Sequence, residues 1–339
     1  MTGPVPDRPG SGDRAPAATV LRGEAVTLRP SLSRAEILRL RSRRFVRGLL
    51  ALAFVLVLAV SVGQFFNHAL PSASDVAAAK VAASQQRAFC IQTSGVPVDQ
   101  ADQVCGVPYQ AFLLRSPFLA GTDLPNVAVA LGAGIAAVLF LVGTTSGGAD
   151  WTAKTMPALL LWEPRRLRVL FTKLGVVLTL ALAVSVVVQV AWLGIGAGVT
   201  ATRGSWAGRP PDFWSQLFWL DARLAVLGML AAGGGYSLAC LIRNTGAALG
   251  VTFVYLVIVE AVVAQFVRTL RPYLVTQNVF ALVTRGGTDV PSGQQGAGGG
   301  FGPQAVVHLS NLRGGGTLLV GVAALTALAA VSFRRRDLT

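Results

Sequence analysis

Along this chain, apolar runs of about 20 residues alternate with short polar stretches. A helix crossing a bilayer must satisfy its own backbone hydrogen bonds, because hydrocarbon offers no partners. That requirement favours unbroken helices of about 20 apolar residues. Six runs qualify, roughly Gly48–Phe66, Pro125–Thr144, Lys173–Ile195, Leu220–Ile242, Ala247–Val267 and Gly316–Phe333. The third is the strongest, with VVLTLALAVSVVVQVAWLGIG free of charge. The fourth is the weakest, since it holds Asp221, Arg223 and the triplet Gly233-Gly234-Gly235. The expected fold class is an all-α integral membrane protein, a six-helix transmembrane bundle with an outer loop region after the first span.

The segments between the runs complete the layout. Residues 1–32 are rich in Pro, Gly, Ala and Arg, lack apolar periodicity, and read as a disordered cytoplasmic N-terminus. Ser33 and Glu36 stand at capping-box spacing. They predict a basic juxtamembrane helix over 33–47, running through Arg39, Arg41, Arg43 and Arg44 into the first span. The alternative is a plain stop-transfer flank. The first run is too long, and begins too far from Met1, for a signal-peptide core, so an uncleaved anchor is expected. The membrane domain covers 48–334, and 335–339 form a cytoplasmic tail.

The polar region Asn67–Leu124 is expected to face outward and holds Cys90 and Cys105. Thiols on an oxidising side pair, and a bridge closing a loop of this size stabilises it by about 3 kcal/mol. Two unrelated thiols are the alternative. Without CxxC or clustered His, these cysteines do not read as a zinc site. His68 and His308 read as isolated surface residues, and Cys240 as a small packing residue. The stretch Gly286–Pro303, GGTDVPSGQQGAGGGFGP, reads as a flexible linker.

Composition agrees with the pattern. Of 339 residues, 53% are hydrophobic and 13% charged, about half the charge of a soluble protein. Charge also orients the chain, because Lys and Arg are retained in cytoplasmic loops. With the N-terminus inside, the cytoplasmic parts hold 19 basic and 7 acidic residues, against 10 and 8 elsewhere. The chain is therefore expected in the cell membrane, multi-pass, with both termini cytoplasmic. A net charge of +14 could also attract nucleic acid. Here the basic residues hug membrane boundaries, where anionic lipid meets them, and no nucleic-acid module is visible.

The motifs of soluble enzymes are absent. There is no GxxxxGK[ST], HExxH or GxSxG, so no catalytic, cofactor or metal site is expected on this chain. One charge, Glu260, falls deep in a run, where a carboxylate costs on the order of 3 kcal/mol on insertion scales. It is either a substrate-pathway or helix-pairing residue, or a protonated or snorkelling Glu in the outer third. Gln189 and Gln265 are weaker cases. The cytoplasmic stretch SGGADWTAKTMPALLLWEPRRLRVLFTK, Ser146–Lys173, is the most informative. Thr155 can cap a short helix with Pro157 in its first turn. Pro164 then ends that helix and opens the next. Met156, Leu159, Leu160, Leu161 and Trp162 put more apolar surface on a cytoplasmic loop than water favours, which calls for a partner.

This stretch resembles the loop after the second span in permease subunits of ABC-2 type transporters. That loop reads acid–aromatic–three residues–Thr–apolar, then Leu-Leu, Pro–x–Arg and Lys. The matching residues are Asp150, Trp151, Thr155, Met156, Leu159, Leu160, Pro164, Arg166 and Lys173, with Trp162 and Arg165 beside them. The chain departs from the pattern at Asp150, where Glu is commoner, and at Pro157. A second resemblance is the run Arg243-Asn244-Thr245-Gly246-Ala247-Ala248-Leu249-Gly250 leading to Glu260. The resemblance implies a six-span permease that pairs with a second copy or a paralogue. It also implies docking to separate ABC ATPase subunits that bind ATP and Mg, with movement of the Asp150–Lys173 loop driving transport, more often export. The competing reading is a non-transport multi-pass membrane protein, such as an assembly factor or sensor.

Overall fold

The computed structural model describes residues 3, 32–95, 101–153, 165–291 and 306–335, with only the backbone of Leu32, Ser33, Arg41, Ala101 and Arg166. Among these residues, six helices are long and apolar enough to cross a membrane. The first, α2, spans Arg44–Asn67. The second and third are α5, Asp123–Thr152, and α6, Arg166–Arg203. The fourth is α7, Phe213–Ile242. The fifth is built from α8, Thr245–Val254, and α9, Glu260–Phe266, joined by a π turn at Tyr255–Val259. The sixth is α11, Asn311–Arg335. The chain is an all-α multi-pass bundle. At 38 residues, α6 is about 57 Å long, well beyond the hydrocarbon thickness of about 30 Å, so it carries the bundle into water.

The bundle is organised around α5 and α7, its most extensive helix pair. Glycines let them approach. A β-carbon at Gly143 would lie 2.0 Å from the Ala232 carbonyl oxygen, at Gly235 2.4 Å from that of Phe140, and at Gly147 2.5 Å from that of Tyr236. Small residues at such spacing drive helix association in lipid, where there is no hydrophobic force between helices. The glycine triplet that made the fourth span look weak in sequence thus includes a seat of its tightest packing. Polar tips fix the neighbours. Trp192 Nε1 donates to the Leu124 carbonyl at 3.0 Å, and the Tyr236 hydroxyl to that of Leu170 at 3.0 Å. Hydroxyls of Thr144, Ser146, Thr179 and Thr200 donate to carbonyls four residues back, which satisfies them without water.

Three parts differ from the sequence expectation. The juxtamembrane helix α1 covers Leu32–Ser42 and stops. Arg43 is extended at φ −68°, ψ 117° before α2 begins, so the helix does not run on into the first span. The region after the first span is not a loop but a 22-residue helix, α3, Ala73–Ser94, followed by the short α4, Ala101–Val104. Ser72 and Asp75 cap α3 reciprocally, and the Ser72 bonds hold the Asp75 carboxyl below the usual carboxylate range. Third, Thr288–Pro291, inside the stretch read as a linker, is a strand, β3. It pairs antiparallel with β4, Val306–Leu309, with Thr288 opposite Leu309. Val290 and Leu309 bury there, an apolar contact that a glycine-rich composition conceals. Residues 292–303 of that stretch, and all but Gly3 and Leu32 of the N-terminal segment expected to be disordered, lie outside the described residues. A shorter parallel pair joins β1, Phe118–Leu119, to β2, Gly204–Ser205.

Cys90 and Cys105 are joined, closing a loop of sequence separation 15 between α3 and the end of α4. Replacing Cys90 by Ser is expected to destabilise this segment by about 3 kcal/mol. Limited proteolysis of purified protein should then cut between Ile91 and Cys105 many times faster than in the parent chain. An unchanged cleavage rate would show that the bridge does not hold the segment.

Candidate functional site

The site begins with α1. Its inward face offers Glu36 and Leu40, four residues apart and both buried. A buried carboxylate needs a cation, and Lys173 of α6 supplies it, with Nζ 3.1 Å from Glu36 Oε2. The same ammonium lies 2.5 Å from Oδ2 of Asp150, near the end of α5. Lys173 and Asp150 are only 5% and 3% exposed. Arg43 completes the group by donating to Asp150 Oδ1. Here lies the reason for the break between α1 and α2, since leaving the helix lets Arg43 turn toward that carboxylate. Arg39 covers Glu36 from the solvent side at 3.3 Å. Two buried carboxylates thus face Lys173 and Arg43, with Arg39 at the rim.

The next residue, Trp151, points elsewhere, as consecutive helical residues must. Its ring meets Phe333 of α11 edge-on at 5.7 Å and carries the Arg243 guanidinium 4.3 Å from its centroid. Arg243 closes α7 in a left-handed conformation, φ 60°, uncommon for a residue with a side chain. Beyond it, Asn244 caps α8 through the Ala247 N–H at 3.0 Å. Thr245 packs so close to Gly148 that a β-carbon there would lie 2.3 Å from its hydroxyl. Within Gly148–Trp151, the end of α5 therefore touches the matching ends of all five other spans, and it reaches α1 through Lys173, which bridges Asp150 to Glu36.

Asp150 and Trp151, placed by the sequence in an exposed loop, belong to this junction. Lys173, the last residue of the same pattern, is ion-paired to Asp150 across it. Arg165 is exposed, and Arg166 opens α6. Thr155, Met156, Leu159, Leu160, Trp162 and Pro164 lie outside the described residues, as does the Ser33 side chain of the expected capping box. Sequence reasoning missed Glu36 as a site residue, although an acid amid five nearby arginines was a visible signal. It also missed Arg43 and Arg243.

Glu260 is buried and caps a separate helix, α10, Val275–Val283. Its oxygens accept the Thr276 N–H at 3.2 and 3.3 Å and the Thr276 hydroxyl. A carboxylate at a helix N-terminus meets the orphan N–H groups and the positive end of the dipole. Asn311 closes the other end of α10 by donating to the carbonyls of Ala281, Leu282 and Thr284. Glu260→Ala should therefore free the first turn of α10. Hydrogen exchange at Val275–Asn278 is expected to accelerate about fivefold or more, since losing a cap costs about 1 kcal/mol or more; an unchanged rate would remove the capping role.

Gln189 is buried and reaches the Ala128 carbonyl at 3.5 Å, while Gln265 is exposed. His68 is no isolated surface residue. Its ring contacts the Ser116 carbonyl at 3.0 Å and Gln64 Oε1 at 3.1 Å and stacks edge-on against Phe118. His308 is exposed beside Asp289 at 2.7 Å. Cys240 is buried against Gly147. Among the described residues no three His, Cys, Asp or Glu side chains form a metal-binding group. Comparison of the chain with known protein families, with curated proteins and with solved structures gave no match.

Proposed function

We propose that this chain is the membrane-spanning permease subunit of an ATP-driven exporter of the ABC-2 type. A second permease copy or a paralogue would complete it, and separate ATPase subunits would bind ATP and Mg. The observation that carries this reading is the junction at the end of α5. Asp150 and Lys173 begin and end the pattern on which the resemblance rests, and they form one buried ion cluster with Glu36 and Arg43. A partner pressing on residues 154–164 would act directly on the point where all six spans and α1 meet. Such a point converts a local push into movement of the whole bundle, which a permease without its own ATP site requires.

The test is co-purification with an ABC ATPase at equal membrane expression. Leu160→Asp or Trp162→Asp should lower ATPase recovery about tenfold or more, because each large apolar side chain buried at an interface contributes about 2 kcal/mol. Arg166→Glu should weaken recovery less, since rim charges contribute less. Glu260→Gln should leave it unchanged. Full ATPase retention by both Asp variants would sink the transporter reading. The assembly-factor or sensor reading draws instead on the exposed, disulfide-linked α3, and would be favoured if no ABC ATPase accompanies the parent chain.

A further inference from the structure

Outside the bundle, the segment Phe112–Arg115 lies across α3 and leaves a cleft of about 440 Å³, within the range of small-molecule sites. Its walls are apolar. Ala78, Ala79 and Ala82 of α3 line it together with Phe112 and Leu113. Its floor is Ala69–Pro71, which starts two residues past Asn67, the end of the first span. The Ser116 carbonyl takes the Ala69 N–H and the His68 ring, which ties the cleft to the end of the first span. Leu70 and Leu114 of the lining are 61% and 100% exposed, and Phe66, at the end of the first span, is 60% exposed.

Among the described residues, two charged ones line the cleft, Asp75 and Arg115. Asp75 Oδ2 is held by the Ser72 N–H at 3.0 Å and its hydroxyl at 2.6 Å. Among the described residues Oδ1 has no hydrogen bond, and exposed Arg115 has neither a hydrogen bond nor an ion pair. Lys80, also on α3, is turned to the Tyr109 ring at 5.7 Å. An apolar slot with one free carboxylate oxygen and one free guanidinium complements an amphiphile bearing an ammonium and a phosphate. We propose that this cleft binds a zwitterionic phospholipid of the phosphatidylethanolamine type, from the leaflet on the α3 side. One acyl chain lies between the alanines and Phe112–Leu113, the phosphate meets Arg115 and the ammonium meets Asp75. This inference does not rest on the transporter reading.

Phosphatidylethanolamine carrying a diazirine in one acyl chain is added in trace to vesicles of phosphatidylethanolamine and phosphatidylglycerol holding the full chain. A parallel sample receives phosphatidylglycerol with the same photoreactive chain. Peptides labelled on irradiation are then identified by mass spectrometry. The ethanolamine probe should label residues 69–82 and 112–115 about fivefold more than the glycerol probe, the ratio that one exposed ion pair supplies. Asp75→Asn, which keeps an acceptor for the cap, should bring the two probes to parity. Arg115→Gln should lower both severalfold. Ala82→Trp and, independently, Ala78→Phe should fill the slot and remove the labelling, with the Cys90–Cys105 bridge intact by mass as the folding control. Equal labelling by both probes in the parent chain, labelling that survives both cleft-filling variants, or cross-linking of these peptides to a second copy would overturn the proposal.

Discussion

Lys173→Met is expected to destabilise the folded protein by about 3–5 kcal/mol, as removing one member of a buried ion pair does. Two carboxylates, Glu36 and Asp150, would remain in a site that is nearly closed to solvent. Arg43 can neutralise Asp150, and among the described residues Glu36 keeps only Arg39, whose side chain is 44% exposed. The pair itself need not be strongly stabilising, because desolvating the charges offsets much of their attraction. The triple variant Glu36→Gln, Asp150→Asn, Lys173→Met should therefore recover much of the loss, since no carboxylate remains buried and the Arg43 side chain, 21% exposed, keeps contact with solvent. Arg39→Gln should cost under about 1 kcal/mol, because that side chain is 44% exposed. Thermal inactivation in detergent, monitored by size-exclusion recovery, separates these cases. Equal midpoints for Lys173→Met and the parent would show that the cluster does not fasten the helix ends that meet there. A triple variant no better than the single would assign the loss to the lysine's packing rather than its charge.

Gly143→Val should prevent most of the protein from reaching a folded bundle. The new side chain would begin 2.0 Å from the Ala232 carbonyl oxygen, and a backbone atom cannot rotate away as a side chain can. Relief requires separating α5 from α7, the central pair, at a cost of about 3 kcal/mol or more. Gly194→Val and Gly198→Val on α6 provide the comparison, because a β-carbon at either meets nothing within 4 Å. The comparison variants should be recovered as monodisperse protein at parental yield, while Gly143→Val is not. Recovery of all three at similar yield would place the closeness of α5 and α7 in doubt. Failure of all three would assign the effect to helix propensity rather than packing.

The six spans were legible in the sequence because spanning is a local property. Each helix closes its own hydrogen bonds, and lipid demands a long apolar run wherever the chain crosses, so composition over about 20 residues reveals it. The acid and lysine that bracket the stretch after the second span were also visible, as was the pair Cys90 and Cys105. Helix α3 could have been read from the Ser72–Asp75 cap and its alanines, but a polar composition hid it. What the sequence could not disclose was which residues meet. Arg43 and Asp150 stand 107 positions apart, and Glu36 and Lys173 stand 137 apart. Their pairing depends on how α1 and the helices stack. The same holds for Gly143 and Gly235, whose meaning lies in the backbone oxygen opposite, and for Glu260, whose partner Thr276 belongs to a helix folded against the sixth span. Sequence alone determined that this chain crosses a membrane and where. Tertiary packing decided that the end of its second span is the point on which the other five and α1 converge, because burying charge in a bundle forces distant residues together to neutralise it.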